Sequence, residues 1–147
     1  MRPAFLGIIT ACGILAGCAT TPVSPVVGGV KATTQAEVAR DFVLGPGQAA
    51  SVEGTSLAVL FRSVNADSRC RVDVQCVWAG DAAVLLTVAS AGTTGEQDVT
   101  LHTTLEPKAE TVGQYEVRLV EVAPVPRSAA PIPAPTYRVT LRVTRVP

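Results

Sequence analysis

Aromatic residues are scarce in this 147-residue chain: three phenylalanines, two tyrosines and one tryptophan. Charged residues make up only 16% of it, and there is a single histidine. No GxSxG elbow, phosphate loop, dinucleotide glycine fingerprint or two-histidine zinc motif occurs. Those absences remove the common ready-made sites for nucleophilic, phosphoryl and hydride chemistry, each of which needs its residues at fixed spacing. Basic and acidic residues balance at twelve each, so no positive field directs the chain to nucleic acid or to anionic lipid. What is present is apolar: 48% of the residues are hydrophobic, enough to build the core of one domain.

The apolar character begins at once. Met1 to Gly17, "MRPAFLGIITACGILAG", carry one positive charge at Arg2 and then an apolar run from Ala4. That run is too short for a comfortable transmembrane helix and reads as an export signal. It closes on Leu15, Ala16, Gly17 and Cys18, and "LAGC" resembles the lipobox of bacterial lipoproteins. The resemblance implies diacylglyceryl transfer to the Cys18 sulfur, cleavage before Cys18 and acylation of the new amino terminus. An ordinary signal peptide beside a chance cysteine is the alternative. Each buried methylene contributes about 0.8 kcal/mol, so two or three acyl chains hold a protein on a membrane far longer than one. Ala19 stands where the family's sorting rule would place an aspartate for inner-membrane retention, which implies an outer membrane facing the periplasm. Loss of Arg2 leaves eleven basic against twelve acidic residues in the mature chain.

Residues 18–39 mix Thr, Pro, Gly and Val without a sustained period and are expected to form a lipidated flexible tether, about 25 Å in reach for roughly twenty residues. From residue 40 to 147 the pattern becomes short alternating segments divided by Gly, Pro or Asp, the mark of an all-β domain. In "YRVTLRVTRV", Tyr137, Val139, Leu141 and Val143 share one face while Arg138, Thr140, Arg142 and Thr144 share the other. Tyr115, Val117 and Leu119 form a second inward set, and Val99 with Leu101 a third. "SLAVLFRSV" and "AAVLLTVAS" are apolar on both sides, as strands covered on both faces are. About seven strands with no convincing helix predict a compact antiparallel β-sandwich, with a small β-barrel as the alternative. Residues 124–135, "PVPRSAAPIPAP", hold five prolines; they predict a long, stiff loop, functional or merely irregular.

Once Cys12 leaves with the signal and Cys18 is lipidated, Cys70 and Cys76 remain as an even pair in an oxidising compartment, which predicts one disulfide. Five intervening residues differ from the two of thioredoxin-type redox motifs. A zinc site would have to recruit His102 and a carboxylate through the tertiary fold. Trp78 lies two residues beyond Cys76, so in an extended segment both side chains face one way. The expectation is an indole packed over the disulfide, the alternative an exposed platform for a sugar or peptide. Asp67, Arg69, Arg71 and Asp73 alternate in sign, as a solvated salt-bridged loop does. His102 falls on the polar side of its strand and is expected at the surface.

"DSRC" followed by "CVWAG" and a hydrophobic strand is similar to a group of small bacterial lipoproteins and exported domains. The likeness runs from about Phe42 to Val146; where the pattern has proline after the first cysteine, this chain has Arg71. It implies a shared fold and supplies no activity. Taken together, the residues predict a lipid-anchored envelope lipoprotein, non-catalytic and without cofactor or metal. Its partners would be the membrane through its lipid and an envelope protein or glycan. Trp78 and Arg71 are the candidate contact residues. A protease inhibitor presenting the Arg71 loop or the proline-rich loop is the second reading. A metal-binding protein or hydrolase using His102, the cysteines and acidic groups is the third.

Overall fold

The structure, a computed structural model, describes residues 24–90 and 95–147. The signal segment, Cys18 and most of the "AGTTG" loop lie outside the described residues. The described residues form eleven strands and one 3-10 turn: β1 (Val26–Val27), β2 (Val30–Lys31), β3 (Thr34–Ala36), β4 (Asp41–Leu44), β5 (Ala49–Val52), β6 (Ala58–Asp67), β7 (Ala82–Ala89), β8 (Glu96–His102), β9 (Ala109–Val112), β10 (Tyr115–Ala123) and β11 (Arg138–Arg145), the turn spanning Ala134–Thr136. Each segment read as a strand from the sequence forms one: β6, β7, β8, β10 and β11. Two sheets face one another, β3-β5-β6-β7-β8 and β4-β11-β10-β9, and neither closes into a barrel.

The expected inward residues are inward. Val139, Leu141 and Val143 are fully buried, as are Val117, Leu101 and Phe61. They form one cluster between the sheets with residues of β4, β5, β7 and β9. "GPG" at Gly45 to Gly47 turns the chain between the sheets, since β4 pairs with β11 while β5 pairs with β6. In β10 the alternation shifts: a bulge between Leu119 and Glu121 leaves Val120 exposed and brings Val122 inward. One extra residue on one strand changes which face its successors occupy.

The tether differs from expectation. Its second half is built into the body, with β1 and β2 forming a hairpin and β3 pairing parallel to β5. Ala58 and Leu60 supply the reason. They occupy the face of β6 turned away from the sandwich core, and they pack with Val27, Ala32 and Ala49 in a second apolar cluster. A strand apolar on both faces needs two covers, and the β1–β2 hairpin is the second. Gly28 secures it by donating its N–H to Glu96 Oε1 at 2.7 Å. Gly28 also requires its glycine: φ is +57° and a Cβ would stand 2.4 Å from Leu60 Cδ2. Val27→Ala should therefore lower unfolding free energy by about 1–3 kcal/mol, while Val26→Ala, at a 59% exposed position, should change it by less than about 0.5 kcal/mol. Denaturant titration of the two variants checks this, and equal small effects would return the segment to a tether.

Candidate functional site

β6 and β7 are antiparallel neighbours, and the segment joining Asp67 to Ala82 projects past the end of the sandwich. Its base continues the ladder: Ser68 N–H donates to Asp81 O at 2.7 Å and Cys70 N–H to Ala79 O at 2.9 Å. Ser68 Oγ adds a bond to Asp81 O and accepts one from Asp81 N–H. Gly80 permits this closure, with φ +69° and a position where a Cβ would stand 1.9 Å from Ser68 O. Cys70 and Cys76 are joined as a disulfide, their Cα atoms 6.0 Å apart. The expected staple is present.

Trp78 does not cover it. The indole is 83% exposed and the neighbouring Val77 92% exposed, because residues 70–81 are not in strand conformation and extend beyond the facing sheet that would have buried them. Val72 and Val74 on the same loop are exposed too. Arg71 Nε pairs with Asp73 Oδ1 at 3.2 Å, both partly solvated, as an alternating loop was expected to do. Asp67 and Arg69 depart from that expectation. Their side chains are only 11% and 13% exposed, and the guanidinium grips the carboxylate with two bonds, Nε to Oδ1 at 2.9 Å and Nη2 to Oδ2 at 2.7 Å.

Arg69 reaches further, donating to Val122 O and, at 2.9 Å, to Pro124 O. Tyr137, at the far end of the proline-rich loop, donates its hydroxyl to Asp67 Oδ2 at 3.0 Å. Burial alone would raise the Asp67 carboxyl, yet the bonds from Arg69 and Tyr137 hold it below its ordinary value. Burial, followed by the bond to Asp67, pushes the Tyr137 phenol up to about 12. The network therefore stays charged at Asp67 and neutral at Tyr137 at neutral pH, and both ends of the proline-rich loop are tied to the base of the cysteine loop. Val72 N–H donating to Pro126 O at 3.1 Å adds a further tie close to the loop's first end. Between the two loops lies a cleft of about 530 Å³, lined on its apolar side by Val64, Pro131 and Ile132 and on its polar side by Asn65, Arg69 and Arg71. That volume lies within the range of small-ligand sites.

His102 is not a free surface histidine. Its Nδ1 lies 2.6 Å from Asp81 Oδ2, and the pair is mostly buried. Asp81 Oδ1 accepts the N–H groups of Thr104 and Leu105 and the Thr103 hydroxyl. Burial works against this carboxylate, but the bonds from His102, Thr104, Leu105 and Thr103 outweigh it and hold the group at about 2. Asp81 thus fastens the start of β7 to the turn after β8. Acting as a catalytic base would further require a nucleophile on the other ring nitrogen. Among the described residues no three His, Cys, Asp or Glu side chains gather into a metal-holding group. No helix there is long and apolar enough to cross a membrane.

Comparison of the chain with protein-family models, with curated proteins and with solved structures finds no match. The site must be read from its own chemistry, and that chemistry is a rigid pole: two loops cross-linked by Arg69, a disulfide at one tip, and apolar side chains held in water.

Two measurements follow from this geometry. Cys76→Ser should destabilise the fold by about 2 kcal/mol through loss of the closed loop. Gly80→Ala, which places a side chain on Ser68 O in a left-handed backbone, should cost at least about as much; thermal melts of both variants test the pair. Asp81 supplies the pH dependence. Its pKa falls from 3.8 to about 2 on folding, so its stabilisation is present above pH 4 and is lost as pH falls toward 2. Asp81→Asn should flatten that part of the stability-versus-pH curve, and an unchanged slope would remove Asp81 from this role.

Proposed function

We propose that the chain is a lipid-anchored lipoprotein of the bacterial cell envelope, held by Cys18 in the outer membrane and acting without catalysis, by binding or supporting an envelope protein or glycan. The observation that carries the binding role is the exposure of Val77 and Trp78 on a loop that a disulfide and a buried ion pair hold rigid. Solvent-exposed apolar clusters mark interaction sites, and tryptophan leads the residues that dominate binding energy. Rigidity adds to the effect, since a preordered loop loses little entropy on docking.

Placement supports the same reading. Ser24, the first described residue, lies beside the Val52–Thr55 turn that precedes β6, whereas the Trp78 loop follows the other end of β6, roughly 30 Å away for a ten-residue strand. Cys18 is six residues before Ser24, a span of at most about 20 Å. A lipid on Cys18 would therefore hold the sandwich near the bilayer and leave the loop at the distal end.

Radiolabelled palmitate fed to cells producing the full chain should label it and place it in the outer-membrane fraction. Cys18→Ser should abolish the label. Wild-type protein without lipid, or lipid retained in the variant, would overturn the anchor. For the binding role, gentle crosslinking in whole cells should join the wild-type protein to a discrete envelope component and Trp78→Ala should lose that adduct; an identical pattern for both would count against it.

A further inference from the structure

The cleft between the two loops is one-sided in its hydrogen bonding. Val64, Pro131 and Ile132 line it beside Asn65, Arg71 and Ser128. Asp67 is the one carboxylate among the lining residues, and it is fully engaged, taking two bonds from the Arg69 guanidinium, one from the Arg69 N–H and one from the Tyr137 hydroxyl. Asn65 Oδ1 already accepts from Ser63 Oγ at 2.7 Å, and Ser128 Oγ from Ala130 N–H at 3.3 Å. Ser68 Oγ is engaged in both directions with Asp81. The side-chain acceptors are in use.

The donors are not. Among the described residues, no hydrogen bond is donated by the terminal nitrogens of Arg71, by the side-chain amide of Asn65 or by the hydroxyl of Ser128. Charge follows the same pattern: Asp67 balances Arg69 within the cleft, whereas Arg71 meets Asp73 through Nε, and Asp73 does not line the cleft. The lining carries a surplus cation. We propose that the cleft binds a small carboxylate ligand with a short aliphatic body, its carboxylate on Arg71, Asn65 and Ser128 and its carbon chain against Val64, Pro131 and Ile132.

Other chemistries fit less well. Each hydroxyl of a neutral sugar brings a proton that needs an acceptor, and the lining acceptors are already taken. A cation would meet the surplus guanidinium. A phosphate dianion would bring its second charge toward Asp67 and Asp73, whereas the planar fork of one guanidinium matches one carboxylate. Val64 and Ile132 also pack against the main core, so the apolar side is in place before a ligand arrives and little ordering is lost on binding. The inference rests on the binding reading for the role of this pole, and it names a contact separate from Trp78.

Both apolar clusters lie between Val27 and Val143, so the body from Ala19 to Pro147, isotopically labelled for nitrogen NMR, is the species to titrate. Isocaproate should shift the Arg71 Nε–H and Asn65 amide signals with a Kd on the order of 1 mM, as befits so small a ligand. Isocaproamide keeps the chain without the charge and acetate the charge without the chain; each should bind at least about tenfold more weakly. Arg71→Gln should weaken isocaproate binding at least about tenfold while leaving the melting temperature unchanged, because its partly solvated pair with Asp73 adds little stability. Arg71→Lys keeps the charge without the fork and should recover only part of the affinity. Equal binding of acid and amide, an Arg71→Gln protein that binds as the wild type does, or no shift below about 20 mM overturns the proposal. Acetyl-alanyl-leucine and its carboxamide identify the source: binding tighter than isocaproate that is lost in the amide assigns the carboxylate to a polypeptide terminus, and weaker binding assigns it to a free acid. Lipid labelling and the Trp78 adduct report on the envelope reading without involving Arg71, so either can fail while the other stands.

Discussion

Ala58 to Phe61 place four consecutive apolar side chains on one strand, two on each face, and all four are buried. Water can be excluded from both faces of a strand only if something covers each. The four-stranded sheet covers one side of β6; the hairpin of β1 and β2 covers the other. That double demand explains why residues with little strand pattern of their own, Val26 to Lys31, are ordered, and why the body begins so soon after Cys18. It also sets the polarity of the molecule. The chain enters beside the start of β6, and the cysteine loop emerges from its end.

At that distal end the sheets stop, and no facing sheet remains to bury side chains. Order there comes from polar bonds instead. A guanidinium as enclosed as Arg69 must have partners, since an unpaired buried cation is costly. It finds Asp67 at the end of β6, the Val122 carbonyl near the end of β10 and the Pro124 carbonyl at the start of the proline-rich loop. Tyr137 closes the circuit from the loop's other end. Five prolines stiffen the twelve residues between, and Asp81 with His102 fixes the opposite side of the cysteine loop. The disulfide then constrains only the tip. Rigidity is distributed over the pole, and the apolar side chains it displays cannot fold back to hide.

Alternation with period two identified β8, β10 and β11 and most of their inward residues, because a strand's geometry is local and each side chain's face follows from its neighbours. Cys70 and Cys76 were legible as a pair for a similar reason: little else in the mature chain could take either thiol. Arg69 and Asp67 were only half visible. Two residues apart, they share a face, but whether that face is wet depends on the proline-rich loop, whose contact is made more than fifty residues later in the chain. The same distance hid the partnership of Asp81 and His102, which becomes readable only once β7 and β8 are placed in register.

Trp78 marks the limit most clearly. Its spacing from Cys76 was legible and its apolar neighbourhood suggested burial, yet burial depends on whether another layer lies opposite, and no local pattern encodes where a sheet ends. The amino-acid sequence by itself determined the strand composition, the sandwich class and the single disulfide, all consequences of short-range periodicity and residue count. Only the tertiary structure decided that the supposed tether caps β6, that an ion pair is enclosed at the pole, and that the lone tryptophan stands in water, because each follows from which distant surfaces meet.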